Sequence, residues 1–509
     1  MVERADLRRL WAEASERQRQ GRFGEAAALL QRLVAAAPQE PAGWAALSDC
    51  LLADRRPETA LQVCDAGLKR MPAAAPVHCA NARVLQSLSR VDEAAAAYRQ
   101  ALGCDGDSTE ARFGLALQAV ERGEFDTAAE VAAPLLAQPT PNPKIDWLAA
   151  RIALGRGDLE VAAERARRGL AAPGLPPDQQ AETALLLGDA LDGLGRYAEA
   201  FAAVTRGKRA LHALYAARAA GRESEADKLG RLADWFERAD PAPWRAAPAS
   251  RMSADVRGHA FLVGFARSGT TLLEQALAGH PDLVALEEAP TLADAYDALM
   301  SAPEELERLS RLTEAEANHW RAHYWRKVGE GGVNPRGRHF LDKAPAGTLY
   351  LPLIAKLFPD ARIIFALRDP RDVVLSCFRN SFQMNALTYA FTDLAETARC
   401  YAASMRMAKV YRRVLPLQIA DARYEALIDD FPGELTRIAG FLGLEARPEM
   451  ADVAATARRR SVRTPSAPQV RAGLNRAGLG RWRAYEHELA SVLPILAPWV
   501  AAFGYGGEG

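Results

Sequence analysis

Through the first two hundred residues the apolar positions keep a helical period, broken at regular intervals by a short polar turn. The turn and the Ala-rich start of the next helix recur as GRFGEAA (21–27), DRRPETA (54–60), SRVDEAA (89–95), GEFDTAA (123–129), GDLEVAA (157–163) and GRYAEAF (195–201). The interval is about 34 residues, which marks a repeat of paired helices. Pro38, Pro72, Pro139 and Pro173 stand where four of the helices should end. The repeated Ala positions put small side chains where two helices cross. Residues 216–257 are charged and contain Pro241 and Pro243; they read as a last helix followed by a linker. From 258 the grammar changes. Short apolar runs at Ala260–Val263, Val284–Ala285, His339–Leu341, Arg362–Leu367 and Pro416–Asp421 alternate with helical patterns, which predicts a parallel sheet with crossover helices. The expected architecture is an all-α repeat solenoid over 1–215, a helix and linker over 216–257, and an α/β domain over 258–509.

The period, the turn glycine, the small residues at the crossing and the closing proline resemble the tetratricopeptide repeat. The resemblance implies five to six units. Each buries its open face on the next and leaves a concave surface suited to an extended peptide or a partner protein.

Composition narrows the function classes. The 64 basic and 64 acidic residues cancel, so no general attraction to nucleic acid or an anionic membrane is expected. Only eight of the basic residues are Lys, so a Lys at a special place is informative. Cys50, Cys64, Cys79, Cys104, Cys377 and Cys400 form neither a CxxC pair nor a Cys/His cluster, and a metal site is not expected. The four in the repeats read as buried, reduced thiols. The N-terminus lacks an apolar signal region, no run is long enough to span a membrane, and a cytoplasmic protein is expected.

The chemistry concentrates in two segments. In GFARSGTTL (264–272) an apolar strand runs into a glycine-bearing turn and a helix starting at Thr270. That arrangement aims backbone N–H groups and a helix N-terminus at one anion. The Gly264/Gly269 spacing matches a nucleotide-triphosphate P-loop, but Thr270 stands where such a loop needs Lys. Arg267 supplies a cation from within the loop, and Ser268, Gly269, Thr270 and Thr271 supply donors. In ALRDPRDVVLSC (366–377) a buried strand ends in Arg368, a helix begins near Asp369 or Pro370, and Ser376 follows two turns on. A guanidinium at a strand's carboxyl end, with a hydroxyl on the next helix, can grip a second phosphate; the alternative pairs Arg368 with Asp372 and turns Ser376 to solvent.

These two segments, in this order and about a hundred residues apart, resemble the cofactor signatures of sulfotransferases. The resemblance covers roughly residues 258–505. It implies 3′-phosphoadenosine-5′-phosphosulfate (PAPS) as co-substrate, the first segment holding its 5′-phosphosulfate and the second its 3′-phosphate through Arg368 and Ser376. Arg267 in the loop, HPD (280–282) and the paired acids Glu287-Glu288 resemble the protein-tyrosine sulfotransferases in particular. That resemblance implies Glu288 as general base, Lys343 in FLDKAP (340–345) and Arg267 as stabilisers of the leaving oxygen, Tyr424 in RYEAL (423–427) beside the adenine, and a closing loop around Ser466 (464–471). One departure concerns the 3′-phosphate: Asn380, with Arg379 beside it, stands where those enzymes carry a further Arg.

For Glu288 the competing assignment is a cap or first-turn acid of a helix starting near Ala289. His280 reads as a capping or packing residue, His319 and His323 lack an acidic partner signature for a metal, and Trp320, Tyr324 and Trp325 read as core. The leading expectation is a PAPS-dependent sulfotransferase whose repeats recruit a protein or peptide acceptor for sulfation at tyrosine. The alternatives are a carbohydrate or small-molecule acceptor, and a repeat-based binding scaffold with an inactive nucleotide domain. A kinase is disfavoured by the missing P-loop Lys.

Overall fold

A computed structural model describes residues 4–137, 142–245, 255–460, 474 and 476–506. The chain divides into two compact units, Met1–Arg196 and Tyr197–Gly509.

The first unit is helical throughout. Its turn-led helices begin at Phe23, Pro57, Val91, Phe125 and Leu159, each inside its recurring motif. Small residues sit at the crossings because nothing larger fits. A Cβ on Gly155 would lie 2.2 Å from the Phe125 ring, and one on Gly114 would lie 2.3 Å from Tyr98. The buried alanines, Ala26, Ala60, Ala94, Ala128 and Ala162, form the seam between paired helices. Cys50, Cys64 and Cys79 are buried as expected, but Cys104 is exposed. It is the last residue of the helix Val91–Cys104.

The sixth motif opens a longer helix, Tyr197–Ala219, which packs with the second unit. Its Lys208 donates to the Asn380 carbonyl at 2.6 Å and its His212 contacts Thr392 Oγ1 at 2.9 Å. The unit boundary therefore falls earlier than the sequence period places it.

The second unit carries a five-stranded parallel sheet: β1 (Gly258–Val263), β2 (Leu283–Glu287), β3 (His339–Lys343), β4 (Arg362–Leu367) and β5 (Gln418–Arg423), in the order β2-β3-β1-β4-β5. Alternate strand residues feed two cores. Phe261, Val263, Phe340, Ile363 and Phe365 face one layer of helices, while Ala260, Leu262, Leu341, Ile364 and Ala366 face the other. Burial on both faces explains the continuous apolar runs. The chain leaves β1 toward β2 on one side and reaches β4 on the other, so the strand order reverses at β1. Ligands of open α/β sheets bind at the carboxyl ends beside such a reversal. Among the described residues no helix is long and apolar enough to cross a membrane.

Candidate functional site

The carboxyl ends of all five strands deliver polar side chains to one region. After β1 the chain turns through the 264–269 loop. The amide of Gly264 donates to Pro345 O at 3.1 Å and its carbonyl accepts from Thr348 Oγ1 at 2.9 Å; a Cβ there would lie 2.7 Å from Ala366 O. Arg267 has φ +68° and Gly269 has φ +91°. Two left-handed residues in three bend the loop back over the start of the helix Thr270–Leu277, whose first amides have no partner within the helix.

The two cationic motifs meet. Arg267 Nε donates to Ser376 Oγ at 2.9 Å, and Arg368 Nη1 donates to the Arg267 carbonyl at 3.1 Å. Both residues are 8% exposed. Burial, with Arg368 close by, brings Arg267 down to about 10. Arg368 also donates to Gly478 O and lies 4.7 Å over the Tyr424 ring. Among the described residues no carboxylate lies at ion-pair distance from Arg368, and its buried Nε has no partner. Asp372 accepts instead from the amides of Gly480 and Trp482. Two adjacent buried cations, one with an open donor, are an arrangement that an anion stabilises. Tyr424 also closes on the loop, since a Cβ on Gly269 would lie 2.6 Å from its ring.

The second cluster centres on Lys343 at the end of β3. Its Nζ lies 2.7 Å from Glu288, 3.4 Å from Glu287 and 3.4 Å from Glu274. Burial opposes the ammonium's charge, yet Glu274, Glu288 and Glu287 together hold its pKa above the ordinary lysine value. Burial raises the Glu274 carboxyl, and Lys343 and Arg460 oppose that rise. Glu288 is not a helix cap. The next helix starts at Ala293, and Glu288 sits at φ +49° with its amide on Lys343 O at 2.8 Å. That backbone bond holds Glu288 beside Lys343.

Arg267, Gly269, Thr270, Thr271, Glu288, Arg368 and Tyr424 line one cavity of about 410 Å³, whose walls also include Pro290, Tyr350, Phe382, Leu387 and Phe391. Ser268 is buried in the loop, Ser376 joins the site through Arg267, and Lys343 through Glu288. Ser466 lies outside the described residues. Sequence reasoning missed Glu274, Arg460 and Lys208. Glu274 left a trace as the one charged residue of TTLLEQAL (270–277), a helix buried along its whole length.

His280 accepts from the Asp282 amide and contacts Glu445 O, which is a packing role. His323 pairs with Asp294 at 2.7 Å. Tyr324 is buried against His259 and Phe358.

Residues 260–448 match the sulfotransferase family, and residues 12–76 and 79–143 match the tetratricopeptide repeat. An uncharacterized protein of Aquifex aeolicus is 28% identical over 47% of this chain, which spans 33% of that relative's length. A Caenorhabditis briggsae protein called "Putative protein-tyrosine sulfotransferase" is 24% identical over 48% of this chain and 88% of its own. Among solved structures, the sulfotransferase domain of the Synechococcus PCC 7002 olefin synthase is similar at 25% identity over 46% of this chain and 93% of its own, with a TM-score of 0.32. The chain thus carries tetratricopeptide repeats followed by a sulfotransferase-family domain.

Proposed function

We propose that the second unit transfers a sulfuryl group from PAPS to a hydroxyl, with tyrosine in a protein or peptide as the acceptor and the repeats recruiting it. The observation that carries this reading is the meeting of two clusters at one cavity: the buried Arg267/Arg368 pair and the Lys343/Glu288 pair, joined at 2.7 Å.

The donor fits the residues present. Arg368, with its unpartnered Nε, would hold the 3′-phosphate with Ser376 alongside. Arg267, Ser268 and the amides at Gly269, Thr270 and Thr271 would hold the 5′ end, and Tyr424 would flank the base. Asn380 donates to Ser376 Oγ at 3.3 Å, so it braces that hydroxyl where the resembling enzymes carry an Arg. The donor supplies the sulfuryl group. Glu288 accepts the proton of the acceptor hydroxyl as its oxygen forms the new O–S bond. The breaking S–O bond leaves its electron pair on the phosphate oxygen, where Lys343 and Arg267 neutralise the charge. The apolar wall of Pro290, Phe382, Leu387 and Phe391 suits an aromatic acceptor. The Caenorhabditis briggsae relative's name supports tyrosine as that acceptor. A cytoplasmic setting accords with six free cysteines.

Radiolabelled donor incubated with the full-length protein and a cell extract tests this. Label should enter protein as an acid-labile tyrosine ester. Glu288→Ala should lose about 10²–10⁴-fold in turnover while still binding adenosine 3′,5′-bisphosphate. Label confined to carbohydrate would move the acceptor class. Normal turnover in the variant would remove Glu288 from the mechanism.

A further inference from the structure

We propose that Glu274 is a positioning residue: it holds Lys343 in place so that Lys343 can exchange its contact with Glu288 for one with the leaving oxygen. This rests on the transfer proposed above and adds an order of events to it.

An ammonium has three N–H groups and no acceptor. Lys343 faces Glu288 at 2.7 Å and Glu287 and Glu274 at 3.4 Å each. Glu288 and Glu287 take two of the donors and Glu274 faces the ammonium as an ion pair without a hydrogen bond, so a leaving oxygen must compete with carboxylates for Lys343. Glu288, held on the ammonium, is equally unfit to take a proton. One exchange corrects both faults, provided that Glu288 is the partner that leaves.

Burial selects it. The Glu288 side chain is 43% exposed, that of Glu287 19% and that of Glu274 0%. Glu274 is held from behind as well. Its Oε1 pairs with Arg460 at 3.0 Å, and Arg460 donates to Ala285 O in β2 at 2.8 Å. Its Oε2, the atom facing Lys343, has no hydrogen bond, so it has capacity to take more of the ammonium when Glu288 turns away. The remaining acid near Lys343 is Asp342. Its Oδ2 is committed to Thr291 at 2.8 Å and Tyr324 at 2.9 Å, and burial pushes its pKa up to about 6. Glu274 is therefore the fixed counter-charge, Glu287 assists, and Glu288 is the exchangeable partner. Release of the base and arrival of the donor become one event, and an enzyme without donor does not activate its acceptor.

Glu274→Gln in the full-length protein tests this, because Gln keeps the volume and an oxygen for Arg460. Loss of the negative charge lowers the Lys343 pKa, so Lys343 deprotonates at a lower pH. The alkaline limb of the turnover profile should move down by about one unit. Turnover at neutral pH should fall about tenfold or more, with acceptor KM and bisphosphate affinity near wild type. A second readout is independent of turnover. With eight lysines in the chain, ¹³C-lysine labelling and a Lys343→Arg spectrum identify the Lys343 signal. Its titration midpoint should fall in Glu274→Gln. Should that variant fail to fold, Arg460→Gln takes away the cation that shares Glu274 with Lys343, and the midpoint should then rise. An unchanged midpoint and an unchanged turnover profile would overturn the proposal. A wild-type protein that transfers no sulfuryl group would strike the reaction itself, while the titration would still decide the role of Glu274.

Discussion

Arg368 shows how one side chain can be read from its unmet valences. It is buried, its Nη atoms are committed to the carbonyls of Arg267 and Gly478, and its Nε has no partner. A buried charge without a counter-ion is unfavourable, so the site should bind a dianionic phosphate there more strongly than it binds a ligand lacking one. Arg368→Ala should therefore weaken adenosine 3′,5′-bisphosphate by about 10–100-fold, the worth of one charged hydrogen-bonding group, and leave 5′-AMP nearly unchanged. Calorimetric titration of both nucleotides checks this, and equal losses would remove the 3′-phosphate contact. At this scale much was legible. Arg267, Lys343 and Arg368 could be singled out because the residue types and their place at strand ends are local signals. Glu274 and Arg460 could not, because their meaning lies in a contact between residues 186 positions apart.

Elements were legible where a local pattern decided them. The expected strand Arg362–Leu367 is β4 as found, since an apolar run ending at Asp-Pro has sharp limits. The expected helix near Ala289 begins at Ala293 instead, because the Glu288 amide bonds Lys343 O and keeps the chain beside β3. The helix Tyr197–Ala219 carries the same opening motif as the repeats, so nothing local separates it from them. What assigns it to the second unit is tertiary: Phe201 against Phe378, and Lys208 on the last turn of the helix that bears Ser376. Lys208 is 2% exposed, and burial lowers it to about 8, below the value near 10.4 of a free lysine. Between those values the unfolded chain binds more protons than the folded one, so this group makes stability rise as pH rises. Lys208→Met removes the titration. The stability of wild type relative to this variant should improve steadily from pH 7 to pH 10, read as the difference in Tm. A difference constant over that range would mean Lys208 is not desolvated.

For the whole molecule, the open question is what the repeats contribute to the reaction, and the structural boundary makes it testable by truncation. The repeat period places the end of the solenoid near residue 215, yet the compact units divide at Arg196. A cut after 196 removes the helical unit and leaves Phe201, Lys208 and His212 on their partners. A cut after 219 also takes Lys208 from the Asn380 carbonyl and His212 from Thr392, and exposes the Phe378 and Tyr485 rings that Phe201 covers. The two truncations should therefore part company. The protein lacking 1–196 should bind adenosine 3′,5′-bisphosphate like the full chain, because every described residue assigned to the nucleotide lies beyond the cut. The protein lacking 1–219 should lose Tm or solubility. If the repeats recruit the acceptor, the shorter deletion should raise the KM for a protein acceptor and leave that for a small phenol unchanged, since only the former can reach beyond the cavity. Equal KM values for the protein acceptor before and after deletion would leave the second unit to select its substrate alone.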